Sequence, residues 1–423
     1  MRRAALLSVL LLMLLAVPAA GSNDPRFPQQ WGLGKIRAES AWQTGTGEGV
    51  IIAVVDSGVD LEHEDLSSKL VGGADFIQPG TSPMDEYGHG THVAGIAAAI
   101  TGNGVGVAGA APGARIMPVR VLDEKGEGRS SGVEAGIRWA VDNGARVINL
   151  SLGGDAEVVL GSGFSDALEY AWSKGAIPVV SAGNEFLSIS GYEDDPALVV
   201  SATDKNDGKP DFSNGVGFAQ WGIAAPGGSN TYEPSTDDII SSYFDPARPS
   251  SHNLYAYLRG TSMAAPYVSG AAAVLLSLGL SPQQTVDRLL ATARDIGVPG
   301  RDVTFGAGRL DLHAAVSGLG GRGQAPPAPE ASSRPSAKPG STQPARPPSG
   351  PPDMPQSPAG EVAPQTGGSP PPLVVGGGPK GPVPLDDVVL AEPIEWLPWV
   401  ALLLAVASGF AAARVRFWKE DIG

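Results

Sequence analysis

Residues 22–318 predict an α/β fold of three layers, with a mostly parallel, doubly wound sheet between two layers of helices. Three observations carry this. Short apolar runs of strand length recur along the segment, as buried parallel strands require. Longer stretches with helical periodicity separate them, and that alternation marks parallel strands joined by crossover helices. Asp56, Ser151 and Asn184 stand at or just past the ends of three runs, where open parallel sheets bind ligands.

The elements follow in chain order. Val50-Ile51-Ile52-Ala53-Val54-Val55 is continuously apolar and runs into Asp56-Ser57-Gly58, so a strand at 50–55 delivers a carboxylate to the sheet edge. Gly88-His89-Gly90-Thr91-His92 opens an Ala-rich helix at 89–100, with His89 in its first turn. Strands at 115–122 and 147–152 flank a helix at 131–143. A helix at 164–174 leads to a strand at 177–181, which enters Ser181-Ala182-Gly183-Asn184; another strand follows at 198–202. Gly260-Thr261-Ser262-Met263-Ala264-Ala265-Pro266 starts a helix at 261–278 that is almost entirely small or apolar, hence buried on most sides. A further helix spans 282–292. Ser262 alone has two readings. It is a helix-capping serine, or a nucleophile with its own N–H and the helix dipole beside its hydroxyl. The carboxylate at a strand end and the histidine at a helix start supply the other parts of a nucleophile–base–orienter triad.

In the order Asp56, His89, Ser262, these motifs resemble the subtilisin-like serine proteases, or subtilases. Asn149-Leu150-Ser151-Leu152-Gly153-Gly154 resembles that family's substrate-binding strand, and Ser181-Ala182-Gly183-Asn184 its oxyanion segment. Phe212-Ser213-Asn214, Ala224-Ala225-Pro226-Gly227 and Phe305-Gly306-Ala307-Gly308-Arg309-Leu310-Asp311 recur at matching positions, so the resemblance covers about 24–318. It implies a subtilisin-like fold and a serine endopeptidase acting on proteins or peptides, with no cofactor for catalysis. Ser262 would be the nucleophile, His89 its base and Asp56 the orienter, with Asn184 and the Ser262 N–H as oxyanion donors. Ser151, Leu152 and Gly153 would pair with substrate backbone, beside Ala182 and Gly183, which implies broad specificity. Thr101-Gly102-Asn103-Gly104-Val105-Gly106-Val107 resembles the family's calcium loop. The matching ligands would be the Asn103 side chain, the carbonyls of Thr101, Val105 and Val107, and the carboxylates of Asp65 and Asp24, holding a structural Ca2+. The alternative there is an empty Gly/Asn turn.

The remaining polar candidates have plainer readings. His92 is expected to be buried and structural, His63 and His252 to sit in polar loops, and His313 to belong to the closing helix, none with a partner of interest. Asp60 reads as a turn or local hydrogen-bonding residue, with the shaping of a substrate subsite as its alternative; Thr261 reads as the helix cap, though the resemblance also puts it close to the oxyanion. Glu193, Asp194 and Asp195 form either a solvated acidic loop or part of the main specificity pocket, which would then favour a basic side chain.

Composition and the chain ends set the address. Arg2 and Arg3 precede an apolar run and small residues, so 1–21 reads as a signal peptide. Residues 319–393 are dense in Pro, Gly, Ser and Ala and free of aromatics, which predicts a disordered, partly polyproline II linker. The uncharged segment from Trp396 to Ala413 predicts a transmembrane helix within 394–415, and Arg414, Arg416 and Lys419 put the 416–423 tail in the cytoplasm. A formal net charge of −15 argues against a nucleic-acid partner, and the absence of cysteine excludes disulfides and thiolate chemistry.

These readings combine into a single-pass plasma-membrane serine endopeptidase with its catalytic domain outside the cytoplasm. Signal peptide, proline-rich linker and C-terminal span together also resemble mycosins, the anchored subtilases of type VII secretion. A catalytically silent peptide-binding scaffold is the reading from a different class; intact Asp56, His89, Ser262 and Asn184 speak against it. About ten residues separate the signal peptide from Trp31, short of the propeptide common in secreted subtilases. Folding assistance is therefore expected to come from elsewhere or to be dispensable.

Overall fold

The computed structural model describes residues 22–152, 164–185, 192, 194–230, 235–319, 373–374 and 383–384. Ten strands in the main part of the chain are β1 (Ile51–Asp56), β2 (Ala74–Asp75), β3 (Arg115–Arg120), β4 (Glu127–Gly128), β5 (Val147–Leu150), β6 (Ile177–Ser181), β7 (Leu198–Thr203), β8 (Trp221–Pro226), β9 (Ile239–Tyr243) and β10 (Leu254–Leu258). The helices are α1 (Trp31–Lys35), α2 (Ala38–Trp42), α3 (His89–Ala98), α4 (Ser130–Asp142), α5 (Ser165–Ser173), α6 (Thr261–Ser277), α7 (Pro282–Ala291) and α8 (Leu312–Val316). A two-residue strand, β11 (Leu373–Val374), follows.

Seven strands form one sheet in the order β2-β3-β1-β5-β6-β7-β8, and every pairing in it is parallel. Each face of the sheet is apolar because side chains alternate along a strand. Ile52 and Val54 of β1 face one core with α3 and α6, while Ala53 and Val55 face the other with α4 and α5. The expected three-layer, doubly wound fold is present. β1 lies at the centre, with β3 and β2 on one side and β5 to β8 on the other. The strand order therefore reverses at the carboxyl end of β1, and that switch point is where Asp56 stands.

The sequence reading missed β8, β9 and β10. Trp221–Pro226 contains a glycine and ends in proline, and Ile239–Tyr243 carries two serines. Those serines are satisfied by the neighbouring helix: Ser241 Oγ donates to the His92 carbonyl at 2.8 Å and Ser242 Oγ to the Thr91 carbonyl at 3.0 Å. β9 and β10 pair antiparallel against α3. The strands predicted at 115–122 and 147–152 end earlier, at Arg120 and Leu150, leaving Ser151 free to bond away from the sheet.

Among the described residues no helix is long and apolar enough to cross a membrane. The expected signal peptide and transmembrane span lie outside the described residues, as does the linker apart from 319, 373–374 and 383–384.

Candidate active site

Asp56 ends β1 fully buried, and its main-chain carbonyl accepts from Val121 and Leu122 N–H at 2.8 and 3.3 Å. Its side chain accepts the Ser57 N–H at 2.7 Å and faces His89 Nδ1, at 2.8 Å from Oδ1 and 3.0 Å from Oδ2. Burial works to lower the His89 pKa, but the charge and hydrogen bond of Asp56, with the Asp85 charge behind, outweigh it and raise it. Helix α3 can begin this close to β1 because Gly90 has no side chain. A Cβ there would lie 2.0 Å from the Gly58 carbonyl oxygen.

Asp85 was not singled out in the sequence, since one acidic residue in a loop carries no pattern. It is fully buried beneath His89. It accepts from Ser57 Oγ at 2.9 Å, from Tyr87 N at 3.0 Å, Gly88 N at 2.8 Å, Thr91 N at 2.9 Å and Thr91 Oγ1 at 2.5 Å. Burial pushes its carboxyl pKa up against those donors. Ser57 Oγ in turn accepts the Gly90 N–H at 3.0 Å. One carboxylate thus ties the loop after Asp56 to the first turn of the helix that carries His89.

Ser262 lies in the first turn of α6, but it is not the cap. The cap is Gly260, at φ +149° and ψ 163°, a conformation almost confined to glycine. Thr261 is not a cap either, contrary to the sequence reading. Its N–H and Oγ1 both donate to Asn184 Oδ1, at 2.9 and 3.1 Å, and Oγ1 accepts the Gly183 N–H at 3.1 Å. Only an oxygen can accept those bonds, so among the described residues the Asn184 amide nitrogen is left as a free donor. An added Cβ on Gly260 would lie 3.5 Å from it.

Pro266 explains another part of the motif. Lacking an N–H, it cannot bond the carbonyl four residues back, that of Ser262. Ser151 Oγ donates to that carbonyl instead, at 2.8 Å. Ser151 Oγ accepts from Asn149 Nδ2 at 2.9 Å, and Asn149 Oδ1 accepts from Ser269 Oγ at 2.8 Å. Ser262 Oγ donates to the Ser151 carbonyl at 3.1 Å, so its hydroxyl rests against β5's exit and not on His89.

Of the expected substrate contacts, Ser151, Leu152 and Ala182 are buried, and Gly153 lies outside the described residues. Gly183 takes φ +100° in the turn before Asn184. Asn214 fixes that turn: its Nδ2 donates to the Ala182 carbonyl at 3.0 Å and to Glu185 Oε2 at 2.6 Å, and its Oδ1 accepts the Glu185 N–H at 3.0 Å. In the acidic segment, Asp194 is exposed and Asp195 buried, while Glu193 lies outside the described residues.

The histidines divide. His92 is buried with Nε2 donating to the Ile239 and Ala256 carbonyls at 3.1 and 3.0 Å. Burial drives its pKa down to about 3, so it is neutral and structural as expected. His63 is not in a polar loop: it is fully buried and bonds the Leu254 carbonyl at 2.9 Å. His252 also has a partner the sequence did not reveal, Asp60 Oδ1 at 2.9 Å.

The residues of the expected calcium loop converge on one place. Asn103 Nδ2 donates to Asp65 Oδ1 at 2.8 Å, and the N–H groups of Gly102, Asn103 and Gly104 surround the Asp24 carboxylate at 2.9 to 3.2 Å. Asp24 and Asp65 are both buried, and among the described residues neither forms an ion pair with Lys or Arg. Two buried carboxylates without a cationic partner, and the side-chain oxygen of Asn103, are hard donors of the kind Ca2+ takes; the carbonyls of Thr101, Val105 and Val107 are the further ligands that the resemblance implies. Val105 N–H donates to Asn103 Oδ1 at 2.9 Å and Val107 N–H to Asp65 Oδ2 at 2.8 Å, which closes the loop on itself.

Comparison with known proteins agrees with this geometry. A family model described as the subtilase family matches residues 47–308. Thermitase of Thermoactinomyces vulgaris is 42% identical over 299 residues, covering 70% of this chain and 98% of that protein. Subtilisin DY of Bacillus licheniformis is 37% identical over 295 residues, covering 68% and 98%. A solved protease structure from Pseudoalteromonas arctica superposes with a TM-score of 0.64 at 32% identity, covering 71% of this chain and all of that one.

Proposed function

This chain belongs to the subtilase family of serine endopeptidases, and on that premise we propose that Asp56, His89, Ser262 and Asn184 carry its peptide-bond hydrolysis outside the cytoplasm, at the plasma membrane. Ser262 turns from the Ser151 carbonyl to His89 Nε2, gives up its proton and attacks the scissile carbonyl carbon. The oxyanion that forms meets the Asn184 amide and the Ser262 N–H. His89, held by Asp56, then hands the proton to the leaving amine, and water releases the acyl group by the same steps. The observation that carries this reading is the Thr261–Asn184 contact, which holds an amide donor next to Gly260, where the Ser262 N–H also lies. A scaffold that only bound peptides would have no use for it.

The experiment is labelling of the full chain with a fluorophosphonate, a reagent for activated serines. One label on Ser262, lost in Ser262→Ala together with peptide hydrolysis, supports the reading. Hydrolysis surviving in Ser262→Ala would refute it.

Membrane attachment rests on the sequence at 1–21 and 394–415, beyond the residues 47–308 that the subtilase family model matches. The same two features, with the linker, favour a mycosin-like processing role as the second reading. The convergence of Asp24, Asp65 and Asn103 supports a structural Ca2+ that stabilises the fold and takes no part in catalysis.

A further inference from the structure

β4 is a short strand with two edges. One faces Leu122, which bridges antiparallel to Gly128, and the Leu122 N–H bonds the Asp56 carbonyl. Just before β4, Gly126 packs on the ring of Tyr87, two residues ahead of His89: a Cβ on Gly126 would lie 3.0 Å from ring atoms. β4 therefore runs along the rim of the cleft that holds the catalytic pair. Its other edge is paired as well, antiparallel with β11, with Leu373 opposite Gly128 and Val374 opposite Glu127.

β11 belongs to this chain's own Pro/Gly-rich segment. An exposed edge beside a protease cleft is where an extended peptide adds by main-chain hydrogen bonds. Antiparallel register carries the added strand from Gly128 toward Gly126, hence toward Tyr87 and His89. In sequence, Val374 is followed by Val375-Gly376-Gly377-Gly378. We propose that the segment around Leu373–Val374 docks on β4 as a tethered competitor for the substrate's backbone, so that the chain restrains its own peptidase activity. This rests on the peptidase reading above.

The tether permits it. Leu319 and Leu373 are 54 positions apart in sequence (373 minus 319). A flexible coil of that length has an end-to-end distance of roughly 40 Å, against a radius of gyration near 20 Å for a domain of this size. Attachment at that range gives an effective concentration on the order of millimolar. A segment that docks with a Kd of about 0.1–0.5 mM would then raise the apparent KM about three- to tenfold and still yield to a good substrate.

The test uses the full chain and its Leu373→Pro/Val374→Pro variant, which removes both main-chain donors of β11 without touching the domain. For a fluorogenic peptide, KM should fall about three- to tenfold in the variant with kcat unchanged. A synthetic peptide of residues 369–378 should inhibit the variant competitively, and its double-proline form should not. Equal KM values in two chains that both label fully at Ser262 would overturn the docking while leaving the peptidase reading intact. Docking is also read without activity, by hydrogen exchange at Gly128, opposite Leu373, in the Ser262→Ala background. Protection there that is lost on proline substitution supports the proposal, and identical exchange refutes it.

Discussion

Thr261 places two donors on one oxygen of Asn184, its N–H at 2.9 Å and its hydroxyl at 3.1 Å. The amide nitrogen of Asn184 is thereby committed to the cleft before any substrate arrives, and preorganisation of this kind is what makes an oxyanion donor effective. Asn184→Ala is expected to lower kcat by about a hundred- to a thousandfold with KM little changed. Thr261→Val keeps the N–H bond and loses the hydroxyl bond, so a smaller loss of about tenfold is expected. Steady-state kinetics on a peptide substrate distinguishes the two, and an equal loss in both would contradict the division of labour.

The raised pKa of His89 sets the acid side of the pH profile. The base works only when neutral, so activity is lost as pH falls through a value above 6.5, the ordinary histidine figure. Asp56→Asn should bring that limb down, since the charge that raises it is gone, and should lower kcat by about ten-thousandfold. The effect on stability has the opposite sense. The protonated His89–Asp56 pair stabilises the fold fully below pH 6.5, and that contribution disappears as pH rises through the folded-state value. Denaturation midpoints across pH 5 to 9 would reveal it as a difference between the parent and His89→Ala.

Asp85 acts on catalysis through His89, by position and by charge. Asp85→Ala strands five donors, four of them from the loop and first turn that present His89, and should destabilise the domain by about 3 kcal/mol. Asp85→Asn keeps the shape and one acceptor oxygen. It should retain more stability yet lower kcat, with the acid limb of the pH profile moved downward because the Asp85 charge also raises His89. A pH profile unchanged in Asp85→Asn would reduce the residue to a structural one.

Calcium can be tested by melting. A site saturated about a hundredfold over its Kd contributes about 2.7 kcal/mol, so for a domain of about 300 residues EDTA should lower Tm by about 4 °C. Asp65→Asn should abolish the difference between Ca2+ and EDTA. A Tm indifferent to EDTA in the parent chain would leave 101–107 as a self-bonded turn.

Much of the site was legible before the fold. Asp56 announced itself by ending an apolar run, His89 and Ser262 by opening helices of small residues, and Asn184 by following a strand. What escaped were residues whose importance depends on distant partners. Asp85 sits in a featureless loop, and Pro266 looks like a helix defect until Ser151, 111 positions from Ser262, takes the carbonyl it frees. His252 read as a loop residue because Asp60, its partner, is 192 positions away.

The sequence by itself determined the first five long buried strands and the major helices, and which four side chains could carry hydrolysis. Periodicity and strand-end or helix-start placement are local properties, written between covalent neighbours. Only the tertiary structure decided that Thr261 orients Asn184 and does not cap its helix. It also decided that Ser262 rests on Ser151, and that β4's outer edge is taken by a strand from the chain's own linker. Each of those depends on which donor reaches which acceptor across the fold, and burial leaves each polar group to find a partner wherever packing brings one near.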